Sequence, residues 1–264
     1  MGGIRLKNYK FEKSEKKAGD WFLGLPNCED YVPIVELALP DLPTSGWVER
    51  GEFRSCWTIL KGPTNVQISR LESLLNVMSK TLLVRRSGVL DGNFTDELTY
   101  CVALDFNFVD AKEHKYTEVG ELEYRAKYES DSTSLVKLAK QVADAAITNP
   151  VLALSDMVAA VPSSSPVAGA LAAAVAKALK RPTTVVDRKT KESIKGLKFD
   201  RKIAVLNNAY TVDPAVKGKT ILLVDDLFQS GASIWALARA ARAAGAVRVH
   251  GLVSVKSLRD TDNT

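Results

Sequence analysis

The segment TILLVDDLFQSGASIWALARAARAAG, residues Thr220–Gly245, is the most informative part of the chain. Thr220–Val224 are mostly apolar and predict a buried strand that ends at two adjacent carboxylates, Asp225 and Asp226. A turn of small and polar residues follows at Gln229–Ser233, and an alanine-rich helix comes after it. Backbone N–H groups in such a turn and the positive end of the helix dipole bind phosphate, while the carboxylates suit sugar hydroxyls or Mg²⁺. This segment therefore predicts a site for a phosphorylated ligand.

Helices and strands alternate from residue 134 onwards. The predicted helices cover 134–148 and 166–180, and the predicted strands cover 156–162, 183–187, 220–224 and 247–255, with some strand in 203–212. This alternation predicts an α/β fold in which a parallel sheet is covered by helices on both faces.

The first part of the chain has a different pattern. A helix is predicted over 65–80 and strands over 51–62, 81–86 and 98–109, which together indicate a small α+β domain. The charged segment 110–133 contains the expected boundary. The sequence therefore predicts two domains, residues 1–120 of unknown role and residues 121–264.

Composition excludes several classes of protein. The chain has 264 residues, of which 46% are hydrophobic, and this is typical of a globular protein. It has no apolar run of the ~18 residues that a membrane-spanning helix needs, and its N-terminus does not resemble a signal peptide. We therefore expect a cytoplasmic protein with no membrane partner, in which the three scattered cysteines are reduced.

Positive charge is concentrated in residues 177–202, which contain ten basic and three acidic residues. This segment is either a solvated face or a surface for an anionic ligand, such as a polyphosphate or a nucleic acid. Phe199 is its only aromatic residue, which argues against a base-stacking platform.

Three predicted strand ends together indicate a cleft, because ligands bind at the carboxyl ends of parallel strands. They are the serine turn Ser163–Ser165, Asp187 at the start of the basic segment, and Asp225 with Asp226. Two other interpretations fail: a nucleotide-binding P-loop, because Asp213 stands where glycine is needed, and a receiver domain, because too little chain follows Asp226. A purely structural strand–turn–helix is disfavoured, because adjacent buried acids destabilise a fold unless they have partners.

The motif VDDLFQSGAS resembles the signature with which type I phosphoribosyltransferases bind phosphoribosyl pyrophosphate (PRPP). The wider pattern is similar to the ComF-like branch, through LEYRAKYES, VAAVPSSS and the segment that runs from Asp187 to Val212. The resemblance covers about residues 122–256.

The resemblance implies a role for each matching residue. Asp225 and Asp226 would bind the ribose hydroxyls and contact Mg²⁺, directly or through water. The 5′-phosphate would lie against Gln229, Ser230, Gly231, Ala232 and Ser233. The pyrophosphate would lie against Ser163, Ser164 and Ser165, and Arg188 and Lys189 would be the cations of a flexible loop.

Two functions follow from the resemblance. The first is an enzyme that uses Mg²⁺ and transfers ribose 5-phosphate from PRPP to a nitrogenous base or another acceptor, with release of pyrophosphate. The alternative is a non-catalytic protein that senses PRPP or a nucleotide, or a ComF-like DNA-handling protein that contacts nucleic acid through residues 177–202. The acceptor is unidentified, and a homodimer is an arrangement that the sequence leaves open.

Overall fold

The computed structural model describes residues 3–50, 55–85, 97–110, 112–189, 197 and 199–258. No helix in these ranges is long and apolar enough to cross a membrane. Contacts between Cα atoms divide the chain into two units. The first unit contains Met1–Ile4, Thr81–Ile147 and Leu152–Thr264, and the second contains Arg5–Lys80 and Thr148–Val151.

The helices and strands of both units are numbered here in chain order. The helices are α1 (Cys28–Ala38), α2 (Asn65–Lys80), α3 (Glu118–Tyr128), α4 (Ser132–Thr148), α5 (Val167–Leu179), α6 (Phe199–Leu206) and α7 (Ala232–Ala243). The strands are β1 (Gly3–Ile4), β2 (Lys10–Lys13), β3 (Trp21–Leu25), β4 (Val48–Arg50), β5 (Ser55–Leu60), β6 (Leu82–Val84), β7 (Tyr100–Phe106), β8 (Phe108–Asp110), β9 (Lys115–Tyr116), β10 (Met157–Ala160), β11 (Val186–Arg188), β12 (Tyr210–Val212), β13 (Thr220–Phe228) and β14 (Arg248–Lys256).

The first unit is built on a six-stranded sheet in the order β1-β6-β7-β14-β13-β10. Strands β7, β14, β13 and β10 are parallel, whereas β6 and β1 join antiparallel at one side. In the register of the central strands, Leu222 lies beside His250 and Val224 lies beside Ala160. The α/β fold with a mainly parallel sheet, predicted from the alternating pattern, is confirmed.

Helices cover both faces of this sheet, which explains why β13 is apolar along most of its length. Ile221 and Leu223 point into a core that α7 closes. Leu222 and Val224 alternate with them, are also fully buried, and lie on the face where α5 packs. A strand with two buried faces needs an apolar residue at every position, so the carboxylates of Asp225 and Asp226 are the exceptions that need an explanation.

The second unit contains a four-stranded antiparallel sheet in the order β2-β3-β5-β4. Helix α1 packs on β3 and on α2. The helix predicted over residues 65–80 is confirmed with both of its ends, and its buried side chains include Leu71, Leu74 and Met78.

The domain boundary predicted near residue 120 stays a prediction, and strand pairing bears on it. Strands β6 and β7 precede residue 120 in the chain, yet they belong to the same sheet as β10, β13 and β14. The division by contacts accordingly groups residues 81–147 with the C-terminal part of the chain.

One local prediction was wrong. Residues 183–187 were expected to form a full strand of the parallel sheet, but only Thr183 bridges to Val158, while β11 pairs antiparallel with β12 in a separate ribbon. The segment 110–133, for which no helix was predicted, contains α3. That helix buries Gly120, Glu123 and Ala126, which give no apolar stripe in the sequence.

A glycine-to-alanine pair tests the packing of α3. An added Cβ at Gly120 would lie 2.0 Å from the backbone oxygen of Asn107, whereas one at Gly169 in α5 would meet nothing within 4 Å. We expect Gly120→Ala to lower the free energy of unfolding by about 1–3 kcal/mol. Gly169→Ala should raise it by up to ~1 kcal/mol, because alanine favours the helix. Urea unfolding followed by circular dichroism measures both, and equal stability of the Gly120 variant and the wild type would contradict this packing.

Candidate functional site

The carboxyl ends of four parallel strands meet at one edge of the main sheet. They belong to β7, β14, β13 and β10, which run in the same direction. Ligands of open α/β sheets bind outside this edge, where the chain leaves each strand. The side chains that β13 and its neighbours place at this edge are therefore the candidate site.

Asp225 and Asp226 lie inside β13, which continues to Phe228 instead of ending at Val224. The two carboxylates interact with each other, since the side chain of Asp226 is among the groups that shift the pKa of Asp225. Both are buried, with 8% and 3% of their surface exposed. The Asp225 carboxylate accepts a hydrogen bond of 2.9 Å from the backbone N–H of Asp226. Burial, and then the charge of Asp226, raise the pKa of Asp225 well above its ordinary value.

Lys127 on α3 supplies the positive charge that the acids need. Its Nζ lies 2.9 Å from Oδ2 of Asp226 and 3.5 Å from Oε1 of Glu123. Burial works to lower the pKa of Lys127, but the neighbouring carboxylates outweigh it and the pKa is raised, so the side chain is firmly cationic. Neither Lys127 nor Glu123 was predicted from the sequence, although their spacing of four residues is the spacing of an ion pair on one helix.

The turn after β13 has the backbone shape expected of a phosphate site. Gly231 precedes α7 and has a φ of +83°, and a Cβ at this position would lie 2.3 Å from a ring atom of Phe228. The hydroxyl of Ser230 accepts a hydrogen bond of 3.4 Å from the N–H of Ala232, the first residue of α7. Only glycine fits this left-handed, crowded position, so the turn Gln229–Ser233 depends on it.

Lys256, the last residue of β14, is hydrogen-bonded to this turn. Its side chain is only 3% exposed, and its Nζ donates hydrogen bonds of 3.0 Å to the carbonyl oxygens of Gln229 and Ser257. The same Nζ lies 5.4 Å from the centre of the Phe228 ring. The parallel register, which pairs Phe228 with Lys256, creates this contact. Lys256 was not predicted from the sequence, because only the strand register shows that the end of β14 lies beside the turn.

The serine turn Ser163–Ser165 leaves β10, which is the direct neighbour of β13. The N–H of Val161 bonds to the carbonyl of Val224, so the chain enters this turn beside the acids. The hydroxyl of Ser163 accepts a hydrogen bond from the N–H of Ser165, and that of Ser165 accepts one from the N–H of Val167, each at 3.2 Å. The structure thus brings the serine turn, the two acids and the turn at Gly231 to the same edge of the sheet.

Arg188 and Lys189 lie at the end of β11, in the ribbon beside the main sheet. Arg188 pairs with Tyr210 in that ribbon, and the N–H of Lys189 bonds to the carbonyl of Ala209. The Tyr210 hydroxyl is hydrogen-bonded to Ser233, and burial raises its pKa while the Arg188 charge acts in the opposite direction. Arg188 is therefore connected to the turn Gln229–Ser233 through Tyr210. Most of the basic loop that follows, residues 190–196 and 198, lies outside the described residues.

The buried acid Glu123 predicts a pH dependence of stability. Burial raises the pKa of Glu123 from 4.5 to about 7, although Lys127 opposes the shift. The folded protein therefore holds a proton that the unfolded chain has lost, so this group makes stability fall as pH rises from about 4.5 to 7. The Glu123→Gln variant has no carboxyl to ionise at this position, so its free energy of unfolding should fall less over this pH range. The Glu121→Gln variant replaces an exposed carboxyl on the same helix and should show the same fall as the wild type. Urea midpoints at roughly pH 5 and pH 8 measure the difference, and a decline in Glu123→Gln equal to that of the wild type would contradict it.

Comparisons with known proteins gave one family match and several similar structures. The family described as phosphoribosyl transferase domain matches residues 137–263. The comparison with curated proteins gave no match.

Several solved structures are similar to the chain at low identity. The adenine phosphoribosyltransferase of Thermoanaerobacter pseudethanolicus is 14% identical over 49% of this chain and 84% of that one, with a TM-score of 0.35. The enzyme of the same name from Leishmania tarentolae is 9% identical over 62% of this chain and 93% of its own, with a TM-score of 0.39. An allosteric regulatory enzyme of purine biosynthesis is 14% identical over 89% of this chain but only 45% of its own, with a TM-score of 0.34. The family match shows that residues 137–263 of this chain are similar to the phosphoribosyl transferase domain.

Proposed function

We propose that the C-terminal half binds PRPP and transfers its ribose 5-phosphate to a nitrogenous base or another acceptor, with release of pyrophosphate. One observation carries the proposal: β13 holds the buried pair Asp225 and Asp226 and then turns through Gly231 into α7. A diol and a phosphate on one small molecule match this spacing of acids and backbone N–H groups. The serine turn Ser163–Ser165, on the adjacent strand, offers a second anion site for the pyrophosphate.

Charge at the edge of the sheet suits a substrate that is anionic at both ends. Lys127 and Lys256 are both largely buried, and cations in such places attract phosphate more strongly than exposed ones, because the local dielectric is low. Lys127 already pairs with Asp226. A ribose hydroxyl that binds Asp226 either shares the carboxylate with Lys127 or displaces Lys127 from it. Released from Asp226, the ammonium group would lie beside the incoming anion.

The reaction is a substitution at C1 of the ribose. The bond from C1 to the pyrophosphate oxygen breaks, and its electron pair leaves with pyrophosphate. A lone pair on the acceptor nitrogen forms the new bond to C1, and the acceptor's N–H proton passes to water. The work of the protein is to hold both partners in line and to offset the charge of the departing group.

Mg²⁺ fits this site only with help from the substrate. No group of three or more His, Cys, Asp or Glu side chains in the described part of the chain could hold a metal ion. Asp225 and Asp226 are oxygen donors of the kind that Mg²⁺ prefers, and the remaining ligands would come from PRPP and water. When bound, Mg²⁺ neutralises charge on the pyrophosphate.

An aromatic row beside Lys127 supports a planar acceptor. Ring centres are 4.6 Å apart for Phe108 and Tyr116, 5.1 Å for Tyr116 and Tyr124, and 5.2 Å for Tyr124 and Tyr128. The Nζ of Lys127 is 5.9 Å from the ring centre of Tyr128, and that side chain is 63% exposed. A planar base can stack on such a ring, so the row favours a nitrogenous base over an acceptor without a ring.

The proposal also includes the branch of the family and a non-catalytic alternative. Within the phosphoribosyltransferases, the similarity of residues 122–256 favours the ComF-like branch. The alternative is a non-catalytic sensor of PRPP or a nucleotide, or a DNA-handling protein that uses the basic segment 177–202. The cleavage of PRPP separates the enzyme from the sensor, because both bind it and only the enzyme releases pyrophosphate.

The first test removes one carboxylate at a time. We expect Asp225→Asn and Asp226→Asn to weaken PRPP binding about 10-fold or more, because hydrogen bonds to a charged group are lost. Asp144→Asn, which alters an exposed carboxyl on α4, is the matched control and should bind as the wild type does. Calorimetry with PRPP and Mg²⁺ gives the affinities, and pyrophosphate release with a panel of bases reports turnover. Undetectable binding at millimolar PRPP would overturn both the enzyme and the sensor.

The second test concerns the lysine beneath the turn. Lys256→Met removes the hydrogen bond to Gln229, so we expect the affinity for PRPP and for ribose 5-phosphate to fall about 3- to 10-fold, as for one lost hydrogen bond. Lys140→Met changes a lysine that is 76% exposed on α4 and should leave both affinities unchanged. Thermal unfolding of each variant verifies that it is folded. Wild-type affinity in a folded Lys256 variant would show that the turn keeps its shape without the lysine.

A further inference from the structure

In the described part of the second unit, one face of the sheet is half-exposed. Along β5, the side chains alternate between buried Cys56, Thr58 and Leu60 and half-exposed Ser55, Trp57 and Ile59. The register places Phe22 beside Ile59 and Gly24 beside Trp57, so these residues share the half-exposed face with Trp57. We call this surface the open face.

Two aromatic rings lie on the open face. The ring centres of Phe22 and Trp57 are 5.9 Å apart and their planes differ by 20°. A Cβ on Gly24 would lie 3.1 Å from a ring atom of Phe22, so the ring lies over the backbone of its own strand. The absence of a side chain at Gly24 therefore lets the Phe22 ring lie over the sheet, where a flat molecule can stack on it.

Positive charge borders these rings. The Nζ of Lys10, on the edge strand β2, lies 5.6 Å from the centre of the Phe22 ring, and the Lys10 side chain is 63% exposed. Lys10 also pairs with Glu12 at 2.6 Å, an exposed contact that an anion can replace at little cost. The segment around β2, residues 5–17, contains six basic residues and two acidic ones. The open face thus combines aromatic rings with a cationic border.

We propose that the open face binds single-stranded nucleic acid. Bases stack on aromatic side chains whatever their sequence, while lysines along an edge follow the phosphate backbone. A duplex hides the faces of its bases, so the rings of Phe22 and Trp57 favour a single strand over a duplex. The excess of lysine favours a polyanion over a protein partner, which would need apolar or mixed contacts.

This surface is separate in sequence from the basic segment 177–202, and the proposal does not depend on phosphoribosyl transfer. The binding residues are on β2, β3 and β5, and all of them belong to the second unit. A protein that lost PRPP binding through Asp226→Asn would therefore keep its affinity for an oligonucleotide. The two proposals can fail independently.

The experiment is fluorescence anisotropy with the full chain and a 5′-labelled oligonucleotide of about 15 nucleotides, as a single strand and as a duplex, over a range of salt concentrations. Trp57→Leu and Phe22→Leu remove a ring but keep an apolar side chain. We expect each to weaken binding of the single strand about fivefold or more, the effect of losing one stacked base. Lys10→Gln should reduce the slope of log affinity against log salt by about 0.7, the value for one phosphate contact on a single strand.

The same sheet offers a matched control. Phe11 and Trp21 also stack and are half-exposed, with ring centres 4.7 Å apart, but the register places them on the face of Leu23, opposite to the open face. Phe11→Leu should leave the affinity unchanged. Three results would overturn the proposal: no binding at low salt, equal affinity for duplex and single strand with no effect of the ring variants, or self-association of the chain that Trp57→Leu abolishes while oligonucleotides do not bind.

Discussion

Two carboxylates buried next to each other in β13 are the constraint on which the first unit depends. Placed in a strand with both faces covered, Asp225 and Asp226 would destabilise the fold if nothing compensated for them. The compensation comes from α3, where Lys127 contacts Asp226, and from the backbone N–H that Asp225 accepts. Helix α3 is therefore more than a cover for the sheet. Its contact with Asp226 fixes the electrostatic state of the acids before any ligand arrives.

The turn at Gly231 also depends on a buried polar group that has a partner. A lysine buried at the end of β14 is bound to the carbonyl of Gln229, so the carbonyl points towards the lysine and away from the site. Gly231 can then adopt its positive φ at the start of α7, where successive backbone N–H groups form a turn of the kind that binds anions. Preorganised donors of this kind need no rearrangement when an anion binds, which is why a rigid turn on a rigid strand suits charge stabilisation.

The parts of this structure that the sequence predicts are those in which local pattern and tertiary role coincide. The helix at residues 65–80 and the first part of the strand, Thr220–Val224, have apolar patterns that match their burial, and both were predicted. The continuation of the strand to Phe228 was not predicted. Helix α3 was not predicted, because close contact with Asn107 places Gly120 at its buried face, and an ion pair places Glu123 there. Lys256 could not be predicted, since its role follows from a register between strands that only the folded sheet defines. Contacts between distant parts of the chain, and not local propensity, determine where these residues lie and what they contact.

The two units offer anions different environments, and ionic strength distinguishes them. In the first unit, the cations Lys127 and Lys256 are largely buried, and salt screens buried charges weakly. In the second, Lys10 and its neighbours on β2 are exposed, and their attraction for a polyanion depends on the release of counterions. A small phosphorylated ligand at β13 would therefore hold its affinity as salt rises, while a polyanion on the open face would lose it. Because burial sets this difference, the salt response of each ligand identifies the surface to which it binds, even where both ligands carry phosphate.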